Sequence, residues 1–457
     1  MINEQRITEL LEKCKPDKVR IKDIVQKSIE KRRLSLEETA ALLNVKDEAT
    51  LKELFSAANT VKEEIYGNRL VIFAPLYVSN LCQNECLYCA FRQSNKDIKR
   101  AVLSQEEIKK ETESILKTGQ KRILLVAGET YPKEGLQYIY DSIKTVYSAR
   151  DGVNNIRRLN VNLAPLSTVE FKNLKKTGIG TYQLFQETYH LETYKNMHPA
   201  GPKSDYLNRL SAIDRAFEAG IDDVGIGALF GLYDFRFEIL ALMMHIEYLE
   251  KKFGMGPHTI SVPRLEPATN SAVAKNPPFP VSDLEFQQII AVLRLSVPYT
   301  GIILSTRENA AMRRAALSLG VSQISAGSRT NPGGYAEGRN EHDGQFSLGD
   351  HRSLDEVIHD ICQQGHIPSF CTSCYRLGRT GLDFMELAKP GQIKNKCLPN
   401  ALLTFKEYLV DYASPKVKEI GEKLIQKEIN AIPQAKTKEF TKESLVKIAN
   451  GKRDIYC

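Results

Sequence analysis

The 457-residue chain has no apolar run approaching the roughly 18 residues that a membrane-crossing helix requires. Its longest candidate near the front, LVIFAPLYV, is half that length and holds a proline. The opening residues, MINEQRITELLEKCKPDK, mix acids with bases and lack the apolar core of a secretory signal, so the expected compartment is the cytosol. There is also no basic block interleaved with aromatics. Lysine and arginine total 63 against 56 acidic residues, and this surplus of +7 is spread along the chain. It reads as a solvated surface, which predicts neither a nucleic-acid nor a membrane partner. Disorder is excluded too, because 42% hydrophobic and 26% charged residues describe an ordinary globular protein. A disulfide framework fits poorly with nine cysteines, an odd number, in a long chain without a secretion signal; metal binding or catalysis fits better.

Residues 1–69 read as helices. From residue 70 the pattern becomes short apolar or alternating runs separated by capped helices. Eight runs qualify as strands: 69–78, 122–128, 158–164, 181–187, 223–230, 258–265, 301–307 and 321–327. Between them, Ser104 with Glu107 and Ser167 with Glu170 have capping-box spacing, and helix ends recur as Gly119, Gly178, Gly220 and Gly320. Eight strands alternating with helices over this span predict an α/β fold, a closed (β/α)8 TIM-type barrel over 70–345. The helical N-terminal extension would be 1–69. Residues 346–457 would form a mostly helical C-terminal domain, beginning with a helix capped by Ser353 and Glu356 and ended by Gly365.

Six of the nine cysteines fall into two groups. In SNLCQNECLYCAF, Cys82, Cys86 and Cys89 are spaced C-x3-C-x2-C directly after the first strand. Three thiolates so crowded can each hold one iron of a four-iron cube, leaving one iron without a protein ligand, free to be chelated by an amine and a carboxylate. A tetrahedral zinc would need a fourth ligand that this loop does not supply. The motif, with aromatic Tyr88 before its third cysteine, resembles the radical S-adenosylmethionine (SAM) superfamily. The resemblance implies a 4Fe-4S cluster that reduces SAM to a 5′-deoxyadenosyl radical. It also implies SAM-binding roles for Tyr88, for Glu129 in AGE after the second strand, for Glu187 in QETYH after the fourth, and for Arg209 in the next helix. The GIGALFG run at 225–231 does not match a nucleotide loop and reads as close backbone packing.

The second group, Cys371, Cys374 and Cys397, has the spacing C-x2-C-x22-C. Spacing alone leaves open an iron–sulfur cluster or a zinc closed by His366 or Cys362. A radical SAM barrel joined to this C-terminal motif resembles the tyrosine lyases of FeFe-hydrogenase maturation over essentially the whole chain. That resemblance implies cleavage of L-tyrosine at Cα–Cβ to p-cresol and dehydroglycine. It implies a second 4Fe-4S cluster with an additional iron, bearing L-cysteine as ligand, where dehydroglycine yields carbon monoxide and cyanide. The partners implied are a reduced ferredoxin- or flavodoxin-type electron donor and the other hydrogenase maturation proteins.

His258, in GMGPHTISVPRL, starts strand six and would be a strand-edge histidine on its own; the family carries a histidine in this motif as ligand to the additional iron. A strand start lies at the bottom of the barrel, so the C-terminal domain would have to plug the bottom mouth, roughly 20–25 Å from the SAM cluster. A fragment would then travel through a polar passage, to which Asn160 and Asn162, sharing one face of strand three, would contribute if they point inward. Ser328 and Arg329, in the glycine-rich loop after strand eight, could clamp the tyrosine carboxylate, with Arg307 a further candidate; the alternative is ordinary loop packing. Cys14, Cys362 and Cys457 are expected to be free thiols. Two rival functions remain: a thiamine-pathway-type tyrosine lyase (2-iminoacetate synthase) with a structural C-terminal metal site, and a non-catalytic iron–sulfur scaffold.

Overall fold

The computed structural model describes residues 1–457 except residue 339. Eight parallel strands follow one another around a closed barrel: β1 (Arg69–Ser79), β2 (Arg122–Ala127), β3 (Arg158–Asn162), β4 (Tyr182–Gln183), β5 (Val224–Gly227), β6 (Thr259–Ser261), β7 (Gly301–Leu304) and β8 (Gln323–Ser325). The barrel closes where β8 returns to β1, pairing Gln323 with Val71, Ile324 with Ile72 and Ser325 with Phe73. On β3 the outward Leu159 and Val161 are fully buried against the helix layer, whereas Arg158, Asn160 and Asn162 face the half-filled interior.

The helices between strands start where their capping chemistry dictates. Ser104 and Glu107, Ser167 and Glu170, and Ser353 and Glu356 form reciprocal capping boxes, each worth on the order of 1 kcal/mol. At the N-terminus, α1 (Glu4–Lys13), α2 (Lys18–Ile29), α3 (Leu36–Leu43) and α4 (Glu48–Tyr66) lie outside the barrel helices. There α4 packs on the helix Asp283–Ser296 and α1 on Phe235–Phe253. Among the described residues no helix is long and apolar enough to cross a membrane.

Two features depart from the sequence reading. Several strands are shorter than expected: β4 keeps two residues of the run 181–187, although Leu184 and Gln186 still donate to the Gly225 and Gly227 carbonyls (2.9 and 3.0 Å), and Glu187, at a positive φ of 69°, keeps an isolated bridge to Ala228. A ninth strand, β9 (Ile367–Ser369), was not anticipated in a region read as helical. Three residues around a proline carry no strand signal; only the free edge of β1 makes them one. β9 pairs Ile367 with Arg69 and Ser369 with Val71, and Val71 also pairs with β8, so β9 occupies the opposite edge of β1, below the point where β2 joins at Ala74. Cys371, two residues beyond β9, is thereby delivered to the foot of the barrel.

The helix Phe235–Phe253 buries a carboxyl. Glu238 is fully enclosed, accepting the Thr188 hydroxyl and the Tyr189 N–H (2.8 Å), and burial pushes its pKa up to about 8. A carboxyl raised in the fold stabilises most below its unfolded value, and that stability is lost as pH rises through about 8. Glu238→Gln should therefore flatten the fall in melting temperature between pH 5 and 8; an unchanged slope would show that Glu238 folds ionised.

Candidate active site

At the C-terminal ends of the strands, the loop after β1 is held by side chains instead of a ladder. Arg100 donates to the carbonyls of Asn80, Phe91, Arg92 and Asn95 (2.6–3.0 Å), and Asn80 bonds the backbone of Lys99 and Ala101 (2.8 Å each). Neither residue carries a motif, so sequence reasoning missed both. The bracing turns Cys82, Cys86 and Cys89 into one upper cavity, together with Tyr88, Glu129 and Arg209. Burial pushes the Cys89 thiol up to about 11 and the Cys86 thiol further. Gly128 of AGE passes directly beneath this loop: a Cβ there would stand 2.1 Å from the Leu81 carbonyl oxygen, so only glycine fits.

The acids and bases of this cavity are already paired. Arg209, 4% exposed, donates to Glu129 (3.0 Å), more distantly to Glu187 (3.5 Å), and through Nε to the Phe185 carbonyl (2.7 Å). Lys203, which no sequence signal marked, places its ammonium 2.6 Å from Glu187, and Asn84 of the cysteine loop donates to Glu129 at 2.8 Å. Burial alone would raise both carboxyls, but the Arg209 and Lys203 charges hold them below the ordinary range. Tyr88 donates to His198 Nε2 (2.8 Å), whose Nδ1–H is fixed on the Tyr194 carbonyl (2.7 Å); burial keeps that imidazole neutral. The arrangement is a charge-matched pocket that can receive a zwitterion and a ribose by exchanging internal partners for ligand ones.

The three residues considered for the tyrosine carboxylate separate. Arg307 lines the upper cavity, its guanidinium 3.3 Å from the centroid of the Phe346 ring. Ser328 and Arg329 are not among the residues lining it. Arg329 is turned back on the Ser328 carbonyl (3.1 Å) and lies 3.6 Å from Glu341, because the loop folds over the helix Gln105–Lys117, whose Glu111 accepts the Tyr335 N–H at 3.0 Å. Glu266 also lines the cavity, its carboxyl pushed by burial and Glu308 up to about 7. The GIGALFG run packs as read: a Cβ on Gly225 would stand 2.6 Å from the Thr259 hydroxyl.

A second cavity lies at the opposite, N-terminal ends of the strands, lined by Cys371, Cys374, Cys397, His258, Arg69 and Arg122. Cys374 sits on the short helix Ser373–Arg376 and Cys397 on the first turn of Lys394–Asp411. The Cys371 sulfur lies 2.9 Å from the Ser373 hydroxyl, and burial raises the Cys397 thiol to about 12. His258 stacks on Phe384 (4.1 Å between centroids) and has Asp223 3.2 Å from Nδ1, leaving Nε2 as its free ring nitrogen. Asp223 is buried, and although burial alone would raise it, the His258 ring holds it below its ordinary value. His366 and Cys362, which a zinc site would need as closing ligand, do not line this cavity; His366 bonds the Asn68 carbonyl instead (3.2 Å). Among the described residues no three or more His, Cys, Asp or Glu side chains gather tightly enough for a single ion. Three thiols line each cavity, and those of the upper one carry the C-x3-C-x2-C spacing of a cluster loop that leaves one iron open.

The two cavities lie along one axis. Phe73, Leu124 and Ser325 line the upper one; Val71, Arg122 and Gln323, two residues earlier on the same strands, line the lower. Period-two spacing puts each pair on the same inward face, about 7 Å apart along the strand. The waist is only partly polar: Gln183, Ser261 and Ser325 share it with Phe73, Leu124 and Ile303. Asn162 lines the upper cavity, while Asn160 bonds the Thr181 N–H (3.0 Å).

Comparison with known proteins agrees with this geometry. Residues 76–244 match the radical SAM superfamily and residues 261–367 the Biotin and Thiamin Synthesis associated domain. The 2-iminoacetate synthase of Escherichia coli K12 is 33% identical over 345 residues, 75% of this chain and 89% of that one. A solved structure titled as HydG, a maturase of the [FeFe]-hydrogenase, is 51% identical with a TM-score of 0.96, covering 100% of this chain and 99% of its own. The FeFe-hydrogenase maturase HydG from Carboxydothermus hydrogenoformans is 45% identical with a TM-score of 0.84, over 97% of each chain. The chain belongs to the HydG family of FeFe-hydrogenase maturases, within the radical SAM superfamily.

Proposed function

We propose that the protein is the radical SAM lyase that cleaves L-tyrosine at Cα–Cβ and converts the dehydroglycine fragment to carbon monoxide and cyanide for hydrogenase assembly. The observation that carries this reading is one barrel with two thiol-lined chambers stacked on its axis. A 4Fe-4S cluster on Cys82, Cys86 and Cys89 would supply the electron that splits SAM, and a second cluster with its additional iron would belong to Cys371, Cys374, Cys397 and His258. Glu129, Glu187 and Arg209 would release their mutual ion pairs to hold the SAM amine, ribose and carboxylate, with Tyr88 packing beside them. Arg307, the guanidinium that lines the chamber, would take the tyrosine carboxylate; Ser328 and Arg329 would act on that site only through their loop. Asp223 would hold His258 with Nε2 free for iron. L-cysteine as iron ligand, a ferredoxin- or flavodoxin-type donor and the other maturation proteins complete the reading. Nine cysteines, none in a disulfide among the described residues, suit the reducing cytosol.

Anaerobic turnover with SAM, reductant and tyrosine tests it, assaying p-cresol, cyanide and carbon monoxide together. All three products are expected. p-Cresol without carbon monoxide would favour the thiamine-pathway type, and absence of 5′-deoxyadenosine would leave an iron–sulfur scaffold.

A further inference from the structure

Among the described residues, two guanidiniums in the lower chamber lack the carboxylate partner that buried arginines normally have. Arg69 and Arg122 both line it, are 7% and 6% exposed, and each has a buried Nε–H with no hydrogen-bond partner. Arg122 spends one Nη1–H on the Cys371 carbonyl (2.7 Å) and lies 5.8 Å from the Tyr375 ring centroid; Arg69 lies 5.3 Å from that of Tyr66. Among the described residues neither forms an ion pair with a carboxylate; Asp223 stands 3.2 Å from His258 Nδ1, with both its oxygens buried and without a hydrogen bond. The three cysteines lie beside Arg69, and Cys397 accepts from its guanidinium, so their charge compensates Arg69 before Arg122. A buried cation without a counter-ion is strongly unfavourable, so the chamber is built to receive a small anion.

The position of Arg122 says which kind. It is at the foot of β2, on the inward face that carries Leu124 and Val126 up into the SAM chamber. A fragment passing from the upper chamber to the lower along this face would meet it. We infer that Arg122, with Arg69 beside it, forms a carboxylate-binding site that captures the two-carbon fragment descending from the upper chamber. This rests on the tyrosine-lyase reading, in which that fragment is dehydroglycine, an imine bearing one carboxylate. A guanidinium edge matches a carboxylate, and capture would shield the imine from bulk water. Uncaptured, the fragment hydrolyses: HN=CH–COO⁻ + H₂O → O=CH–COO⁻ + NH₃, giving glyoxylate and ammonia.

The test uses the full chain with both cysteine groups loaded and tyrosine omitted, so that no radical chemistry intervenes. Glyoxylate is titrated calorimetrically, with methyl glyoxylate as its uncharged counterpart. Glyoxylate should bind and the ester should not. Loss of one charge-assisted contact should make Arg122→Gln bind roughly tenfold or more weakly, and Arg122→Lys should recover part of the affinity. In turnover, Arg122→Gln should release glyoxylate and ammonia in place of carbon monoxide and cyanide. Equal glyoxylate affinity in parent and Arg122→Gln, at equal iron content, overturns the site. So does a Lys variant with full iron that binds no better than Gln, a comparison that stands even if the Gln variant loses its cluster. Failure of the lyase reading is separate: it appears as absence of p-cresol from the parent, whatever the titrations show.

Discussion

Cys86→Ser protein, supplied anaerobically with SAM, reductant and tyrosine, should form neither 5′-deoxyadenosine nor p-cresol, a loss to below detection. Cys86 is the most enclosed of the three upper thiols, 4% exposed, on a loop that Arg100 and Asn80 hold rigid. A serine oxygen is a hard, poorly ionised replacement for a thiolate, and two remaining sulfurs cannot retain a cluster in reducible form. The lower cysteines are unaffected, so the variant should keep the iron bound there. Parental p-cresol formation by this variant would end the assignment of the upper chamber. Loss of all iron would instead show that the two chambers do not load independently.

Cys371→Ala combined with Cys374→Ala should show the converse, keeping p-cresol within about twofold of the parent while losing carbon monoxide, because distant sites with no shared partners act independently. The cavities lie at opposite ends of the strands, and none of the cysteines of one lines the other. Dehydroglycine then finds no iron and should accumulate as glyoxylate. Undiminished carbon monoxide would refute the division of labour. Since Arg122 bonds the Cys371 carbonyl, a backbone atom that alanine retains, the foot of β2 should stay in place; SAM cleavage without tyrosine checks this.

Much of the site was legible from side-chain chemistry at short spacing. Both cysteine groups, Glu129, Glu187 and Arg209 could be named because each lies within a motif or just past a strand, where the barrel topology gathers functional groups. Arg100, Lys203, Asn84 and Asp223 could not. Each acts on a residue distant in sequence: Asp223 serves a histidine 35 positions later (|223−258|), and Lys203 reaches Glu187, a residue at positive φ beyond the end of β4. The preference for Ser328 and Arg329 failed to place a guanidinium in the cavity for a related reason. A glycine-rich loop signals freedom to approach a ligand, but Glu111 and Glu341 decide where this one folds.

By itself the sequence determined the barrel, its eight strands in order, the capped helices and the two sets of three thiols, because period, capping and ligand spacing are local properties written within a few residues. Tertiary structure alone decided that β9 exists, since a three-residue strand has no stability apart from the edge it joins. Through β9 it also decided that the second thiols stand below the first on one axis. It set Arg122 and Arg69 beside them, with no carboxylate partner among the described residues. Charge compensation is a sum over everything nearby, and which groups are nearby is settled only when the barrel closes.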